Sequence, residues 1–382
     1  MEKSFFLRYN SKDIQIINKM KTFRFIPAVV VSAGLLFNSC IREEAPNMEA
    51  DIESVTIANA ENLLQIDPVI ESNNITFRIK AFSGSYKFAP IFNLSEGATI
   101  SPASGTELDF TQPQTYTVTS QDGAWSRQYV VSFIADENSF ITNYSFENVE
   151  IDTKKYHKFY DFLSNGQKIY NWSSGNEGFS LVNSGGAANT YPTLQIADGY
   201  SGKGVRMVTR STGWLGSIFG TPIAAGNLFL GTFSLNIGNT LKSTRFGIPY
   251  SYNKAPKAIT GYFKYSAGAT FRKKVASTLT KDTWNAYAFL FEKSSTNNYI
   301  TGDHNFADPR IVSIAKLKDA DRKEASQWTR FEIPFELVSG KSFDPTKEYM
   351  FAIVFTSSIE GDKYNGAVGS TLDIDEVQII TE

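Results

Sequence analysis

Cysteine is almost missing from this 382-residue chain: Cys40 is the single one, and His157 and His304 are the only histidines. A lone thiol excludes an internal disulfide, and the counts exclude a Cys/His metal cluster. The apolar run FIPAVVVSAGLLF at 25–37 falls short of the roughly 20 residues that a membrane-spanning helix needs. Excess positive charge is also lacking: 37 Lys+Arg against 39 Asp+Glu leave a formal net charge of −2, which speaks against holding nucleic acid by phosphate neutralisation. No Gly-x-Ser-x-Gly nucleophile elbow occurs, so a serine hydrolase of that kind is excluded. What the chain does have is aromatic side chains, 14% in all with 30 Phe and 18 Tyr, as suits β-rich packing or stacking surfaces.

Lys19, Lys21 and Arg24 precede the apolar run, giving the basic flank and short apolar core of a secretion signal rather than a transmembrane anchor. Phe37, Asn38 and Ser39, directly before Cys40, resemble the relaxed lipobox of bacterial lipoproteins. The resemblance implies that residues 1–39 are an upstream extension and signal peptide, with Met20 as the start of a signal of ordinary length. It also implies that Cys40 becomes the acylated first residue. Ile41-Arg42-Glu43-Glu44 is similar to the tag that sends lipoproteins of Bacteroidetes-type bacteria to the outer cell surface; a solvated linker is the alternative. The expected address is therefore the outer membrane, lipid-anchored and surface-exposed, with 40–50 as the lipidated linker and lipid as the sole membrane contact.

Residues 51–136 read as a first β domain. Thr115-Tyr116-Thr117-Val118-Thr119 alternates with period two, Asp122-Gly123 signals a turn, and the stretch from Trp125 to Phe133 puts Trp125, Tyr129, Val131 and Phe133 on one side. That pattern is a hairpin, with Trp125 expected in the core. Another strand is expected at NITFRIKAF, 74–82. The segment LSEGATISPASGTELDFTQPQTYTVTSQDGAWSRQYVVSF resembles the small immunoglobulin-like module of Bacteroidetes surface lipoproteins, which is generally taken as a spacer.

From 137 to 382 no window sustains a 3.6-residue apolar period, so a second, larger all-β domain is expected. ITNYSFENVEID, then YNWSSGNEGFSLVN, and at the end GSTLDIDEVQII are similar to the opening and closing strands of jelly-roll carbohydrate-binding modules. AAGNLFLGTF, GIPYSYNKAPKAITGYFKY, DPRIVSIAKL and VFTSSIEGDKYNGAVGSTLDIDEVQI together resemble the putative carbohydrate metabolism domain. The implied fold is an immunoglobulin-like sandwich followed by a jelly-roll sandwich. The resemblance carries over no catalytic set.

A sugar site needs flat aromatics beside amide, carboxylate or guanidinium groups. The candidates are Trp172 with Asn176 and Glu177; Arg206 and Arg210 near Trp214, which is read as lying on a loop or strand end; Tyr250 and Tyr252 beside Asn253; and Asp303, next to His304 as an acid/base pair or in a plain solvated loop. A glycosidase would instead need two facing carboxylates about 5–10 Å apart; acids are plentiful, but their pairing is not legible. In LDIDEVQII, strict alternation puts Leu372 and Ile374 on one face and Asp373, Asp375, Val377 and Ile379 on the other. Either a bulge near Glu376 switches faces, or the strand leaves the sandwich at Asp373 and Asp375. Jelly-roll sugar-binding modules often hold a structural calcium, and the resemblance implies Glu147 with Asp373 or Asp375 as its ligands; simple pairing with Lys or water is the alternative.

The preferred reading is a non-enzymatic surface lipoprotein that binds glycan through the C-terminal domain, alongside other surface proteins of glycan uptake. A glycoside hydrolase and a structural or adhesive protein are the rivals.

Overall fold

A computed structural model describes residues 46–382 except 59–60, 81–84, 137–139, 164–165, 184, 219, 296, 305 and 382. Cys40, the apolar run and the charged tag lie outside the described residues. Among the described residues no helix is long and apolar enough to cross a membrane.

The first module packs two β layers. Its main sheet runs in the order Val69–Glu71, Asn74–Lys80, Ser126–Asp136, Gln114–Thr119, Thr99–Ser101, with Asn74–Lys80 and Ser126–Asp136 parallel. Ile52–Ile57 pairs with Pro90–Leu94 opposite. The expected hairpin forms, with Tyr116 opposite Tyr129 and Thr119 opposite Ser126. Tyr116, Val118, Tyr129, Val131 and Phe133 are buried, as alternation requires. Phe133 stacks on Phe77 at 4.3 Å and on Phe88 at 4.2 Å between ring centroids.

Trp125 departs from expectation, being 58% exposed. It stands just before the strand, in a turn where its N–H donates to Ser120 Oγ and its carbonyl accepts from Ser120 N–H. The turn ends the alternation before it reaches the ring.

The second domain is a large curled sheet closed into a sandwich. One layer is built from Thr193–Ile196, Gly204–Val208, Thr371–Thr381 and Pro256–Ser266, the other from Ile311–Lys316, Asn285–Glu292, Tyr349–Thr356 and Asn227–Phe233. The 13-residue strand Ala325–Leu337 joins them, pairing with Pro256–Ser266 along most of its length and with Ile311–Lys316 at its end. Between the layers lies a core that includes Trp284, Phe263, Phe331, Phe351, Phe355, Leu372 and Ile374.

The strand Thr371–Thr381 resolves the open choice at the paired acids. Glu376 takes a left-handed φ of 48°, and the register slips between Thr260 and Tyr262. This bulge switches the inward face, so Leu372 and Ile374 before it and Val377 and Ile379 after it all enter the same core.

The two modules are joined by a polar seam. Arg78 donates to Asn171, whose amide donates to Tyr144 Oη at 3.2 Å. Ser72 donates to Asp152, and Lys158 Nζ to the Glu71 carbonyl at 3.0 Å. Ile134 of the first module packs with Leu163 and Ile169 of the second. Buried polar groups of this kind are costly unless paired, and here the partners come from opposite sides of the junction.

Candidate functional site

Beside that seam the modules leave a groove of about 1220 Å³. The first module lines it with Asp51, Glu53, Asp67 and Glu71, and the second with His157, Trp172, Glu177, Arg245 and Tyr299. Concave sites at domain junctions with a few convergent polar groups are the usual place for a ligand. A smaller pocket of about 240 Å³ shares Gln65, Lys293 and Glu348 with the groove and holds Tyr250, Tyr252 and Asn253.

Among the described groove residues, Trp172 Nε1 and Asn298 Oδ1 are buried polar atoms without a hydrogen-bond partner. Orphaned buried groups are rare in folded proteins, and water or a ligand is their ordinary explanation. Glu71 takes a hydrogen bond from Ser173 Oγ at 2.8 Å, with Lys158 Nζ 3.6 Å from its other oxygen. Burial nonetheless pushes its carboxyl above the ordinary value, against the pull of Lys158, and the charge of Glu177 adds to the rise. Glu177 itself pairs with Lys154 at 3.0 Å. His157 is pushed down by burial, and its Nδ1 accepts the Gln195 N–H at 2.8 Å. Arg245 lies 4.9 Å from the Tyr299 ring centroid, leaving a cation and an aromatic face together on the wall.

Comparison with known proteins bears on both sides of this groove. The family described as "Putative carbohydrate metabolism domain" matches residues 145–380, and "SGBP, N-terminal" matches 52–133. The chain belongs to the putative carbohydrate metabolism domain family. A crystal structure from Bacteroides thetaiotaomicron, described as a putative glycoside hydrolase, is 42% identical, with a TM-score of 0.81 over 89% of this chain and 99% of that one. A second structure so described, from Bacteroides vulgatus, is 36% identical, with a TM-score of 0.59 over 64% of this chain and 100% of that one. Nothing matches among curated proteins.

Within the carbohydrate metabolism domain the sugar candidates scatter. Trp172 lines the groove but is only 3% exposed, packed against Tyr144, Phe146 and Phe355. At that burial it offers the groove no open stacking face. Asn176 is fully buried and bridges to Thr193, donating to its carbonyl at 2.7 Å and accepting its N–H at 3.1 Å. Tyr250 is a core ring whose hydroxyl donates to the Lys254 carbonyl, whereas its neighbour Tyr252 is 39% exposed. Trp214 is 76% exposed, on the short helix Gly213–Ile218 rather than a loop or strand end, and lines neither cavity.

Arg206 forms a bidentate pair with Asp373 at 2.7 and 2.8 Å on the outward face of the sheet, away from the groove. Asp303 accepts from Thr301 Oγ1 at 2.6 Å. Its neighbour His304 turns into a phenylalanine cluster, where burial pushes its pKa down to about 4, so the two do not form an acid/base pair.

The acids implied as calcium ligands separate in the same way. Asp373 is committed to Arg206. Glu147 and Asp375 instead flank one turn, 198–203: Glu147 Oε1 accepts the Lys203 N–H at 2.9 Å and Asp375 Oδ2 the Ser201 N–H at 3.0 Å. Gly202, at φ +63°, lets Glu147 close on the turn, since a Cβ there would stand 2.2 Å from Oε1. Among the described residues no three His, Cys, Asp or Glu side chains converge as a metal cluster.

Sequence reading missed Glu71, Arg245, Asn298 and Tyr299. Glu71 and its partner Ser173 are 102 residues apart, and no local pattern marks such a junction.

Proposed function

We propose that this protein is a cell-surface lipoprotein that binds a glycan chain in the groove between its two modules without cleaving it. The observation that carries the reading is the groove itself: a module of a surface glycan-binding family forms one wall, a carbohydrate metabolism domain forms the other, and that second wall includes Trp172 and Asn298, each with a buried polar atom that lacks a partner. Arg245, Asn298 and Glu71 supply donors and acceptors for sugar hydroxyls, Tyr299 supplies an aromatic ring on the groove wall, and Tyr252 supplies another in the adjoining smaller pocket. A glycan array on the chain from residue 46 onward, followed by titration calorimetry, tests it; silence across host and dietary polysaccharides removes the claim. Lipid attachment at Cys40 and an outer-membrane address complete the proposal, and labelled fatty acid should enter the wild type but not Cys40→Ala.

A second reading, hydrolysis, has one observation in its favour: Glu71 with its raised pKa lies within electrostatic reach of Glu177 in the same groove, as a general acid beside a second carboxylate must. Against it, each carboxylate already faces a lysine. Reducing-sugar release that disappears in Glu71→Gln and in Glu177→Gln would establish hydrolysis.

For a structural calcium, Glu147 and Asp375 are the ligands we propose, since Asp373 is held by Arg206. Asp375 is fully buried and its hydrogen bonds come from backbone N–H groups alone. Backbone carbonyls of the turn would have to complete the oxygen shell. Calcium titration of wild type and Asp375→Asn checks it: heat of binding in the first and none in the second is expected.

A further inference from the structure

The sheet that faces away from the core carries a second aromatic surface. Along Gly204–Val208, Thr371–Thr381 and Pro256–Ser266, Val205, Ile374 and Phe263 point into the core, so the alternate residues point outward. One outward row runs Arg206, Asp373, Lys264, and the next runs Asp375, Tyr262, Arg330. The turn 198–203 folds over Asp375 and lays Tyr200 flat on Tyr262, with 3.5 Å between centroids and 7° between planes. Tyr200 remains 48% exposed. On the far side, Lys264 Nζ lies 4.6 Å from the Trp328 ring centroid.

Charge on this face cancels locally. Arg206 meets Asp373, Arg330 meets Glu332 at 2.8 Å, and Lys264 reaches Asp198 at 4.0 Å. Matched pairs leave no net field to hold phosphate or an acidic partner. They also break up the apolar area that a protein interface would require. What remains is the exposed ring of Tyr200, backed by Tyr262, and the half-buried ring of Trp328, among fixed donors and acceptors, chemistry that fits the apolar face and equatorial hydroxyls of a pyranose. Three interstrand steps of about 4.8 Å make the surface long enough for more than one ring of a chain.

We propose that the outward face carrying Tyr200, Tyr262 and Trp328 is a second carbohydrate platform, which takes the flat side of a neutral, extended polysaccharide. It rests on the groove reading for its ligand class and shares none of its residues. Two contacts to one chain raise the effective concentration at each, so the platform holds a polymer that the groove grips at another point.

Affinity electrophoresis of the chain from residue 46 onward through gels containing neutral polysaccharides tests this. Tyr200→Ala and Trp328→Ala should each weaken retardation roughly tenfold in apparent affinity, while Tyr200→Phe, which keeps the ring, should retain it. Unchanged melting temperatures establish that the variants are folded. Retardation unchanged in both alanine variants but lost in Arg245→Ala overturns the platform and leaves the groove. Loss in the platform variants with Arg245→Ala unaffected supports the platform and overturns the groove. Wild type that no neutral polysaccharide retards overturns both.

Discussion

Trp284 has no exposed surface and packs on Phe263 at 4.4 Å and Phe331 at 6.3 Å between centroids. Trp284→Ala should cost about 3–5 kcal/mol by leaving a cavity between the two layers, read as a lower urea midpoint. Asp375 makes a different prediction. Burial pushes its carboxyl up to about 6 from 3.8, so the fold holds the proton more tightly than the unfolded chain does. Below about pH 4 the group is protonated in both states and contributes nothing. As pH rises from about 4 to about 6 the unfolded chain ionises while the buried site holds its proton, so stability is lost progressively, on the order of 3 kcal/mol in all. In the presence of a chelator, melting temperature should therefore fall between about pH 4 and 6 and level off above that, less steeply in Asp375→Asn, and calcium should restore it at pH 7 in the wild type alone. A wild type indifferent to pH and calcium would remove Asp375 from any such role. At this scale the sequence was least legible: Trp172, Tyr250 and Asn176 are the right residue types for sugar, yet each is buried by partners remote in the chain.

The strand Thr371–Thr381 shows how much an element reveals in advance. Its breach of alternation was visible in the letters, because acids and aliphatics competed for one face; the bulge at Glu376 is the physical resolution. Glu376 occupies left-handed space that a β-branched residue enters at greater cost. Glu376→Gly should be neutral or stabilising by up to about 1 kcal/mol, and Glu376→Val destabilising by on the order of 1–2 kcal/mol, measured by denaturant unfolding. The hairpin around Asp122-Gly123 was legible for the same local reason, whereas Trp125 was not: period two says nothing about where a turn ends and a strand begins. The stacking of Tyr200 on Tyr262 likewise depends on sheet register, which no window of sequence contains.

Taken whole, the molecule is less a domain on a spacer than a two-module unit. The all-β class and the order of the modules were readable from strand texture and motif, but the seam was not, since Arg78, Ser72 and Glu71 acquire partners only when two remote sheets meet. Residues 46–382 cluster as one compact unit, and calorimetry should give one cooperative transition; two separate peaks would mean that the modules melt independently. Arg245 and Tyr299 on the groove walls belong to the second module, Glu53 and Glu71 to the first, so the proposed site exists only while the seam holds. The central claim is that a glycan occupies this groove. It is tested most directly by titrating an oligosaccharide identified on an array into wild type, Arg245→Ala and Tyr299→Ala. The account predicts saturable heat in the wild type and affinity at least tenfold weaker in each variant; equal affinity in all three would contradict it.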